Sequence, residues 1–338
     1  MKKIIVTGGL GFIGSNFIIK LIQDPSYKIL NIDKKTEVSI PESLSFLKHN
    51  SNYSFIKCDI RNKDKLKNII NKFKPLYVVH FAAESHVDNS ISFPNKFIES
   101  NINGTFNLIN ICNNLWMKKK LYINSKFIHI STDEVYGSLN RNDKPFNELS
   151  SYKPNSPYSA SKASSDFLVR SWNQTYGFNS IIANCSNNYG PWQHPEKLIP
   201  KIILNAINRK QIPIYGKGKN VRDWIHVDDH VNALIKILKK GKIGEKYNIG
   251  GRNEKTNISI AMLICDLLDE IYDNGYSHKK LIKYVVDRPG HDFRYAVNDS
   301  KIRTRLNFKN KIDFKNGIKH TIKWYIKKNK FFSTKFKI

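Results

Sequence analysis

Apolar and polar residues follow two repeating patterns along the first half of the chain. Short apolar runs predict buried strands, at residues 4–6, 27–32, 55–59, 77–81, 127–131 and 180–184. Longer stretches with apolar positions at helical spacing predict helices, over 12–22, 64–73, 97–116 and 158–176. Strands and helices that alternate in this way form βαβ units. The chain is therefore predicted to be an α/β protein with a Rossmann-type, doubly wound parallel sheet.

The pattern changes after about residue 187, where prolines interrupt it and loops and short helices are expected. We interpret residues 1–186, with about 222–250, as the Rossmann domain. Residues of about 187–221 and 251–330 then form a smaller, mostly C-terminal α/β domain that binds the substrate. The basic, aromatic segment 327–338 is expected to be solvated or loosely packed, and 331–338 is assigned as a basic tail.

Composition limits the classes of protein that the chain can belong to. Its 338 residues contain no apolar run of about 18 residues, which argues against a membrane span. The apolar run at 4–6 ends too soon for a signal peptide. The four cysteines are widely spaced and include no CxxC pair, so neither a metal site nor a disulfide framework is predicted. These features favour a cytoplasmic protein.

The net charge of +28 has two interpretations. It could reflect nucleic-acid binding through phosphate contacts, or only a proteome biased towards Lys, Asn and Ile. The lysines are scattered instead of gathered on one motif, which favours the second interpretation and predicts no nucleic-acid partner. A positive field would still attract an anionic substrate.

A glycine-rich turn lies between the first strand and the first helix. Gly8, Gly11 and Gly14 form GxxGxxG, which lets a pyrophosphate approach the helix N-terminus. Asp33 follows at the end of the second strand, where a carboxylate binds ribose hydroxyls and repels a 2′-phosphate. This favours NAD over NADP, although Lys34 and the lysine after it are also suited to a phosphate. Asp59, at the end of the third strand, could hold the adenine or cap the next helix.

Tyr158 and Lys162 lie four residues apart on a predicted helix and therefore share a face. A nearby ammonium favours a phenolate, so we expect Lys162 to lower the pKa of Tyr158 towards neutrality. Tyr158 could then accept the proton of a substrate hydroxyl as hydride leaves for NAD. Thr132, at the end of the fifth strand, could hydrogen-bond the same hydroxyl.

Two neighbouring carboxyl groups, Asp133 and Glu134, follow Thr132. Like charges drive the pKa values of adjacent carboxyls apart, so one can act as an acid while the other acts as a base. Elimination needs both at once. The alternative is a polar turn after a strand, but the position beside Thr132 and upstream of Tyr158 favours catalysis.

At this point the chain resembles the extended short-chain dehydrogenase/reductase family, and within it the NAD-dependent nucleotide-sugar dehydratases that act on dTDP-glucose. The resemblance runs from residue 1 to about 325. It rests on segments that include TGGLGFIGS, HFAAESHVDNS, SNINGT, HISTDEVYG, YSASK, NCSNNYGPWQHPEKLIP, PIYGKGKNVRDWIHVDDH and DRPGHDFRYA. TDEVYG and SNNYGP are specific to dehydratases of this kind, whereas the glycine turn and YxxxK occur throughout the superfamily.

The resemblance implies a lyase that oxidises, eliminates and reduces in one site. Tyr158 would accept the 4-OH proton, Glu134 would remove the C5 proton, and Asp133 would protonate the departing C6 hydroxyl. The NAD would be recycled, and dTDP-4-dehydro-6-deoxy-glucose would enter deoxysugar biosynthesis. The helices at 97–116 and 158–176 resemble those that pair two subunits, which implies a homodimer.

The resemblance also implies two sets of binding residues and no metal. The cofactor set is Gly8, Gly11, Phe12, Ile13, Gly14, Asp33, Lys34, Thr36, Asp59, Ile60, Phe81, Ala82, Ala83, Glu84, Ser100, Tyr158, Lys162 and Asn188. The substrate set is Ser85, Thr132, Asn187, Lys197, Leu198, Pro213, Ile214, Tyr215, Arg222, Asn257, Asp287, Arg288, Pro289, Gly290 and His291.

One loop departs from the family, and three rival functions stay open. Residues 37–40 replace the family's usual Tyr and Gly positions beside the adenosine, which bears on NAD affinity. A UDP-hexose 4-epimerase would not need Asp133 and Glu134, and a GDP-mannose dehydratase normally uses NADP. A nucleic-acid-binding protein with this fold is supported by the net charge alone. Arg222, beside Asp223, could also form a simple ion pair.

Overall fold

The structure is a computed structural model that describes residues 1–118, 121–273 and 275–338, with the side chain of residue 122 left out. Its central element is a parallel sheet of seven strands in the order β10-β6-β5-β4-β1-β2-β3. The strands are β1 Lys2–Thr7, β2 Tyr27–Asp33, β3 Tyr53–Lys57, β4 Tyr77–His80, β5 Lys126–Thr132, β6 Ser180–Cys185, β7 Asn187–Tyr189, β8 Ile212–Tyr215, β9 Val221–His226, β10 Lys246–Ile249, β11 Glu254–Thr256 and β12 Ile282–Val285. This order confirms the predicted doubly wound α/β fold.

Helices cover both faces of the sheet and make up most of the second half of the chain. They are α1 Phe12–Leu21, α2 Lys63–Phe73, α3 Val87–Ser92, α4 Pro94–Phe97, α5 Gly104–Lys118, α6 Pro157–Tyr176, α7 Leu198–Ile207, α8 Val227–Lys240, α9 Asn257–Tyr272, α10 Ser300–Leu306 and α11 Phe314–Phe336. Short 3₁₀ turns occur at Pro41–Leu47, Tyr122–Asn124, Asp133–Tyr136 and His278–Leu281. None of these helices is both long enough and apolar enough to cross a membrane.

Two predicted elements differ from the observed ones in ways that have local causes. The third strand begins at Tyr53 and ends at Lys57, so Asp59 lies beyond it. Because β3 is an edge strand and is largely exposed, its apolar run is a weak guide to its ends. The predicted helix 97–116 is interrupted by a π-helical turn at Ile98–Asn103, which places Ser100 at the cavity described below.

Three large apolar clusters support the architecture. Two of them pack on the central sheet with α1 and α8 on one side and α2, α5 and α6 on the other. The third is built mainly by α7, α9 and α11, beside a small sheet of order β11-β9-β7 and the pair β12-β8. A separate apolar cluster is what a second, smaller domain would need. The boundaries of the two domains and the substrate-binding role of the second one stay predictions.

The C-terminal segment is packed, and the prediction of a loose tail was wrong. It forms the last turns of the 23-residue helix α11, in which Phe332 has no exposed surface and Ile338 packs against the third cluster. Aromatic residues recur at helical spacing through Tyr325, Phe332 and Phe336, and that spacing buries one face of the helix. The expectation of short helices after residue 187 was also wrong, since α9 has 16 residues.

Candidate active site

A cavity of about 360 Å³ opens where the carboxyl ends of β1, β2, β4, β5 and β6 meet. Gly8 has a φ of +72°, and a Cβ there would lie 2.6 Å from the Ala82 nitrogen. Gly11 precedes α1 and supplies no side-chain cap, so the first backbone N–H groups of the helix stay available beside the cavity. The glycine turn is thus a ready anion site, as the sequence predicted.

Asp33 is fixed at the edge of the same cavity. Its Oδ2 accepts a bond from the Leu10 nitrogen at 3.1 Å, and its Oδ1 accepts one from the Lys35 nitrogen at 2.7 Å. The Lys34 ammonium pairs with Glu84 at 2.5 Å, and the Lys35 side chain is exposed. Lys34 is therefore neutralised by a carboxylate, which weakens the case for a bound 2′-phosphate.

Nearly all of the predicted cofactor residues come together in this cavity. Those that line it are Gly8, Gly11, Phe12, Ile13, Gly14, Asp33, Lys34, Thr36, Asp59, Ile60, Phe81, Ala82, Ala83, Ser100, Tyr158, Lys162 and Asn188. Glu84 does not line the cavity; it forms an ion pair with Lys34, which does. The Asn188 side chain bonds to the Ser186 carbonyl and to His230 Nδ1, so it is fixed within the protein.

The turn after β5 carries the two neighbouring carboxyl groups. Thr132 ends the strand, and its hydroxyl accepts from the Glu134 nitrogen and donates to Asp133 Oδ1, each at 3.3 Å. Asp133 is 2% exposed and its Oδ2 has no partner. Burial, with the charges of Glu134 and Asp223, raises the pKa of Asp133 well above its usual range. Asp133 therefore suits the role of a proton donor.

Glu134 differs from Asp133 in its surroundings. Its side chain is half-buried, and burial raises its pKa. The positive charges of Arg222, Arg288 and Lys197 oppose that shift. Three cations act on Glu134, whereas Asp133 feels the negative charges of Glu134 and Asp223 and one opposing cation, Arg222. The two carboxyls are therefore set up to hold different protonation states.

Tyr158 and Lys162 are positioned by the first turns of α6. Ser156 and Ser159 form a capping box around Pro157, which fixes where the helix begins. Burial, together with the Glu134 charge, raises the pKa of Tyr158 well above its usual range. The prediction that the pKa of Tyr158 falls towards neutrality was wrong for the structure, because burial and the Glu134 charge outweigh any lowering.

The Lys162 ammonium is held by a backbone carbonyl of the neighbouring strand β5. It donates to the Ile130 carbonyl at 2.8 Å and lies 3.5 Å from His129 Nε2. Burial lowers the pKa of Lys162 to about 8. The spacing of YxxxK places both residues on one helix face, but it does not determine where the lysine points.

The predicted substrate residues divide into two groups. Ser85, Thr132, Asn187, Lys197 and Leu198 line the cavity. The others lie outside its lining, on β8, β9, the start of α9 and the loop after β12; they are Pro213, Ile214, Tyr215, Arg222, Asn257, Asp287, Arg288, Pro289, Gly290 and His291. Ile214 is almost fully buried, so its side chain packs in the core.

Arg222 is not paired with Asp223, so the simple ion-pair interpretation was wrong. Its guanidinium donates to the backbone carbonyls of Val221, Asp292 and Phe293, while Asp223 accepts from backbone nitrogens of residues 251 and 253. Both side chains are buried. The Arg222 charge is nevertheless felt at Glu134, where it opposes the rise in pKa.

Sequence reasoning missed several residues at the site. Asp88 bridges two predicted substrate residues, since it accepts from Arg288 Nη1 at 2.9 Å and from the Tyr215 hydroxyl at 3.3 Å. Further lining residues are Ile32, Val38, Ser39, Cys58, Ile130, Ser131, Cys185, Ser186, Gln193, His194, Glu196 and Trp224. Asp88 and five of these lie inside the quoted segments HFAAESHVDNS and NCSNNYGPWQHPEKLIP, which was the available signal.

The fold and the cavity define a nucleotide-binding α/β protein with an acid pair, a buried tyrosine and a lysine beside its glycine turn. Residues 5–321 match the family described as GDP-mannose 4,6 dehydratase, and the chain belongs to that family. A dTDP-glucose 4,6-dehydratase of Salmonella typhimurium is 48% identical over 334 residues, which cover 96% of this chain and 92% of that protein.

Solved structures agree with this placement. The dTDP-glucose 4,6-dehydratase of Streptomyces venezuelae, crystallised with NAD bound, superposes with a TM-score of 0.91 at 36% identity, covering 98% of this chain and 99% of that one. A UDP-glucose 4-epimerase of Thermotoga maritima gives 0.83 at 27% identity, covering 96% and 99%. The epimerase shares the fold but is less similar in sequence.

Proposed function

We propose that the chain dehydrates dTDP-glucose to dTDP-4-dehydro-6-deoxy-glucose with NAD that is regenerated in the site. The observation that carries this proposal is the pair Asp133 and Glu134 in one cavity with Tyr158. An oxidoreductase or an epimerase has no use for a buried acid beside a second carboxyl. The 48% identity to a dTDP-glucose 4,6-dehydratase over 96% of the chain supports the same substrate.

The residues around the glycine turn fit NAD. Substituting any side chain at Gly8 would place an atom against the Ala82 backbone, which is the close packing expected of a pyrophosphate cradle. Asp33 retains lone pairs towards the cavity for ribose hydroxyls. A bound NAD would supply the hydride acceptor for sugar C4 and, once reduced, the hydride donor for C6.

The chain's own groups then move three protons. Tyr158, which lines the cavity together with Thr132 and Lys162, takes the proton of the sugar 4-hydroxyl. Glu134 takes the C5 proton, which the 4-ketone makes acidic. Asp133, whose raised pKa keeps it protonated, delivers a proton to the C6 hydroxyl so that water leaves. The proton on Glu134 returns to C5 when hydride reaches C6, and the proton gained by Tyr158 balances the one that Asp133 gave up.

Positive charge near Glu134 suits a nucleotide diphosphate. Lys197 lines the cavity, while Arg222 and Arg288 lie close enough to Glu134 to act on its pKa. Forked guanidinium donors match phosphate oxygens. We propose that these three side chains bind the diphosphate of the substrate.

We further propose a homodimer in the cytoplasm. The neighbouring helices α5 and α6 leave apolar side chains exposed, with Phe106 at 38%, Phe167 at 57% and Tyr176 at 52%. A second copy of the chain would cover them in a helix-pair interface. Sedimentation equilibrium of the purified protein tests this, and a monomer at micromolar concentration would contradict it.

The test of the reaction uses purified protein and dTDP-glucose without added NAD. We expect the alkali-induced ultraviolet absorbance of a 4-keto-6-deoxy sugar, and its loss in Glu134→Gln, because the C5 proton then has no base. Reduced cofactor should accumulate in that variant, since oxidation at C4 is untouched. No keto sugar from the wild type, even with NAD supplied, would overturn the proposal; a C4 epimer would instead identify an epimerase.

A further inference from the structure

The helix that carries Tyr158 and Lys162 continues with a third polar residue on the same face. Asp166 lies one turn beyond Lys162, is 1% exposed and does not line the cavity. Its Oδ2 accepts from the Tyr152 hydroxyl at 2.7 Å and from the Ser131 hydroxyl at 2.9 Å. A carboxylate this deeply buried costs free energy unless it is paired, so its presence needs an explanation.

Asp166 is linked to Lys162 through His129. His129 Nε2 lies 3.2 Å from Asp166 Oδ1 and 3.5 Å from Lys162 Nζ. Burial lowers the pKa of His129 to about 4, so the imidazole is neutral at neutral pH. The two formal charges in this cluster are therefore those of Lys162 and Asp166.

Each of these two groups supports the charged form of the other. Burial lowers the pKa of Lys162, and the Asp166 charge is the larger of the two influences that raise it again. Burial likewise raises the pKa of Asp166, but the hydrogen bond of His129, the charge that His129 gains only in acid, and the charge of Lys162 outweigh it. The net pKa of Asp166 is below its usual range, so it is ionised at neutral pH.

Other ionisable groups also face this cluster from the elements packed around it. Lys246 on β10 donates to the Tyr152 hydroxyl at 3.3 Å and also feels the Asp166 charge. The remaining groups are His80 on β4, Asp133 and Tyr136 in the turn after β5, Glu148 and Tyr152 in the following loop, Tyr158 and Arg170 on α6, and Cys185 on β6. Among the described residues, Asp166 is the carboxylate that lies against His129, the side chain next to the Lys162 ammonium.

We propose that Asp166 is a positioning residue for the reaction: it is the buried counter-charge that keeps Lys162 an ammonium beside Tyr158. This rests on the proposed function, in which Tyr158 releases and regains a proton in every turnover. An ammonium near the phenol stabilises the phenolate, whereas a neutral lysine does not. Asp166 thus acts on Tyr158 through Lys162, without touching the substrate.

The test compares Asp166→Asn with Tyr152→Phe. Asp166→Asn removes the charge and keeps an acceptor oxygen, whereas Tyr152→Phe removes one hydrogen bond to Asp166 Oδ2 and keeps the charge. Losing a nearby opposite charge lowers the pKa of a lysine by about one to three units. We therefore expect the alkaline limb of the kcat–pH profile to move to lower pH by about that amount in Asp166→Asn. The profile of Tyr152→Phe should stay in place, and KM should change little in either variant.

Two further measurements separate this role from simple structural support. Asp166→Glu keeps the charge, so it should return the alkaline limb towards the wild-type position. NMR titration of isotope-labelled lysines in the holoenzyme, assigned with Lys162→Arg, reports Lys162 directly and needs neither turnover nor a variant at residue 166. A neutral Lys162 at neutral pH in the wild type would overturn the proposal, even if Asp166→Asn does not fold.

The outcomes also distinguish this proposal from the proposed function. An alkaline limb that stays in place in a folded Asp166→Asn, with only kcat or thermal stability reduced, would contradict the counter-charge role. A wild type that makes no keto sugar would contradict the dehydratase function alone. The lysine titration would still decide what Asp166 does.

Discussion

The carboxyl groups of Asp133 and Glu134 are adjacent in sequence but have different surroundings. Asp133 is buried, and its Oδ2 has no hydrogen-bond partner among the described residues. Glu134 is half-buried and faces three cations. Their identity as a candidate acid and base could be predicted from TDEVYG next to YSASK. The elevated pKa of Tyr158 could not be predicted, because it results from the burial of the phenol and from the nearby Glu134 charge, which only the fold brings about.

Exchanging the acid should separate elimination from oxidation. In Asp133→Asn the departing hydroxyl receives no proton, so we expect keto-sugar formation to fall by about 100-fold or more. Oxidation at C4 should persist, and a 4-keto intermediate that still carries its C6 hydroxyl should be detectable by rapid quench and mass spectrometry. Full activity in this variant would show that Asp133 is only a polar turn residue.

Asp88 offers a second test at the residue scale. Its carboxylate holds the Arg288 guanidinium and the Tyr215 hydroxyl, although the Arg288–Asp88 pair is partly exposed. We expect Asp88→Asn to raise KM for the nucleotide sugar about two- to fivefold with kcat unchanged. Asp24→Asn, which breaks a similarly exposed pair with Lys239, is the matched control and should leave KM unchanged. Equal effects of the two variants would contradict a role for Asp88 at the site.

At the scale of elements, six of the seven strands of the central sheet could be predicted, because their apolar runs are separated by helices of clear period. The four-residue edge strand β10 was missed. The strands outside the central sheet could not be predicted, because they are very short. β7 and β11 have three residues each, and β8 and β12 have four. Runs of that length carry no usable period, and their pairing is set by contacts distant in sequence. The packing of α11 was hidden for another reason, because its lysines mask the aromatic repeat.

The last turns of α11 should contribute to the stability of the fold. Phe332 is fully buried in the third cluster, so Phe332→Ala should lower the free energy of unfolding by about 3–5 kcal/mol. Thr334→Ala, at an exposed position two residues along the same helix, is the control and should change it by less than about 0.5 kcal/mol. Urea unfolding measures both. If Phe332→Ala lowered the free energy of unfolding no more than the control does, the C-terminal segment would be loosely packed.

At the scale of the whole molecule, the net charge of +28 bears on how the substrate arrives. A positive surface attracts a nucleotide diphosphate, and salt screens that attraction over about 8 Å at physiological ionic strength. We expect the second-order rate constant for dTDP-glucose, kcat/KM, to fall as salt is raised, with kcat nearly constant. A kcat/KM that does not respond to salt would show that the surface charge plays no part in substrate capture.

The central claim is that one cavity oxidises, eliminates and reduces the same sugar. Its most direct test is to supply dTDP-glucose deuterated at C4, without added NAD, and to locate the deuterium in the product by NMR. The account predicts deuterium at C6 of a 4-keto-6-deoxy sugar, because the hydride taken from C4 returns to C6. Deuterium retained at C4 of an epimerised sugar, or lost from the product altogether, would contradict it.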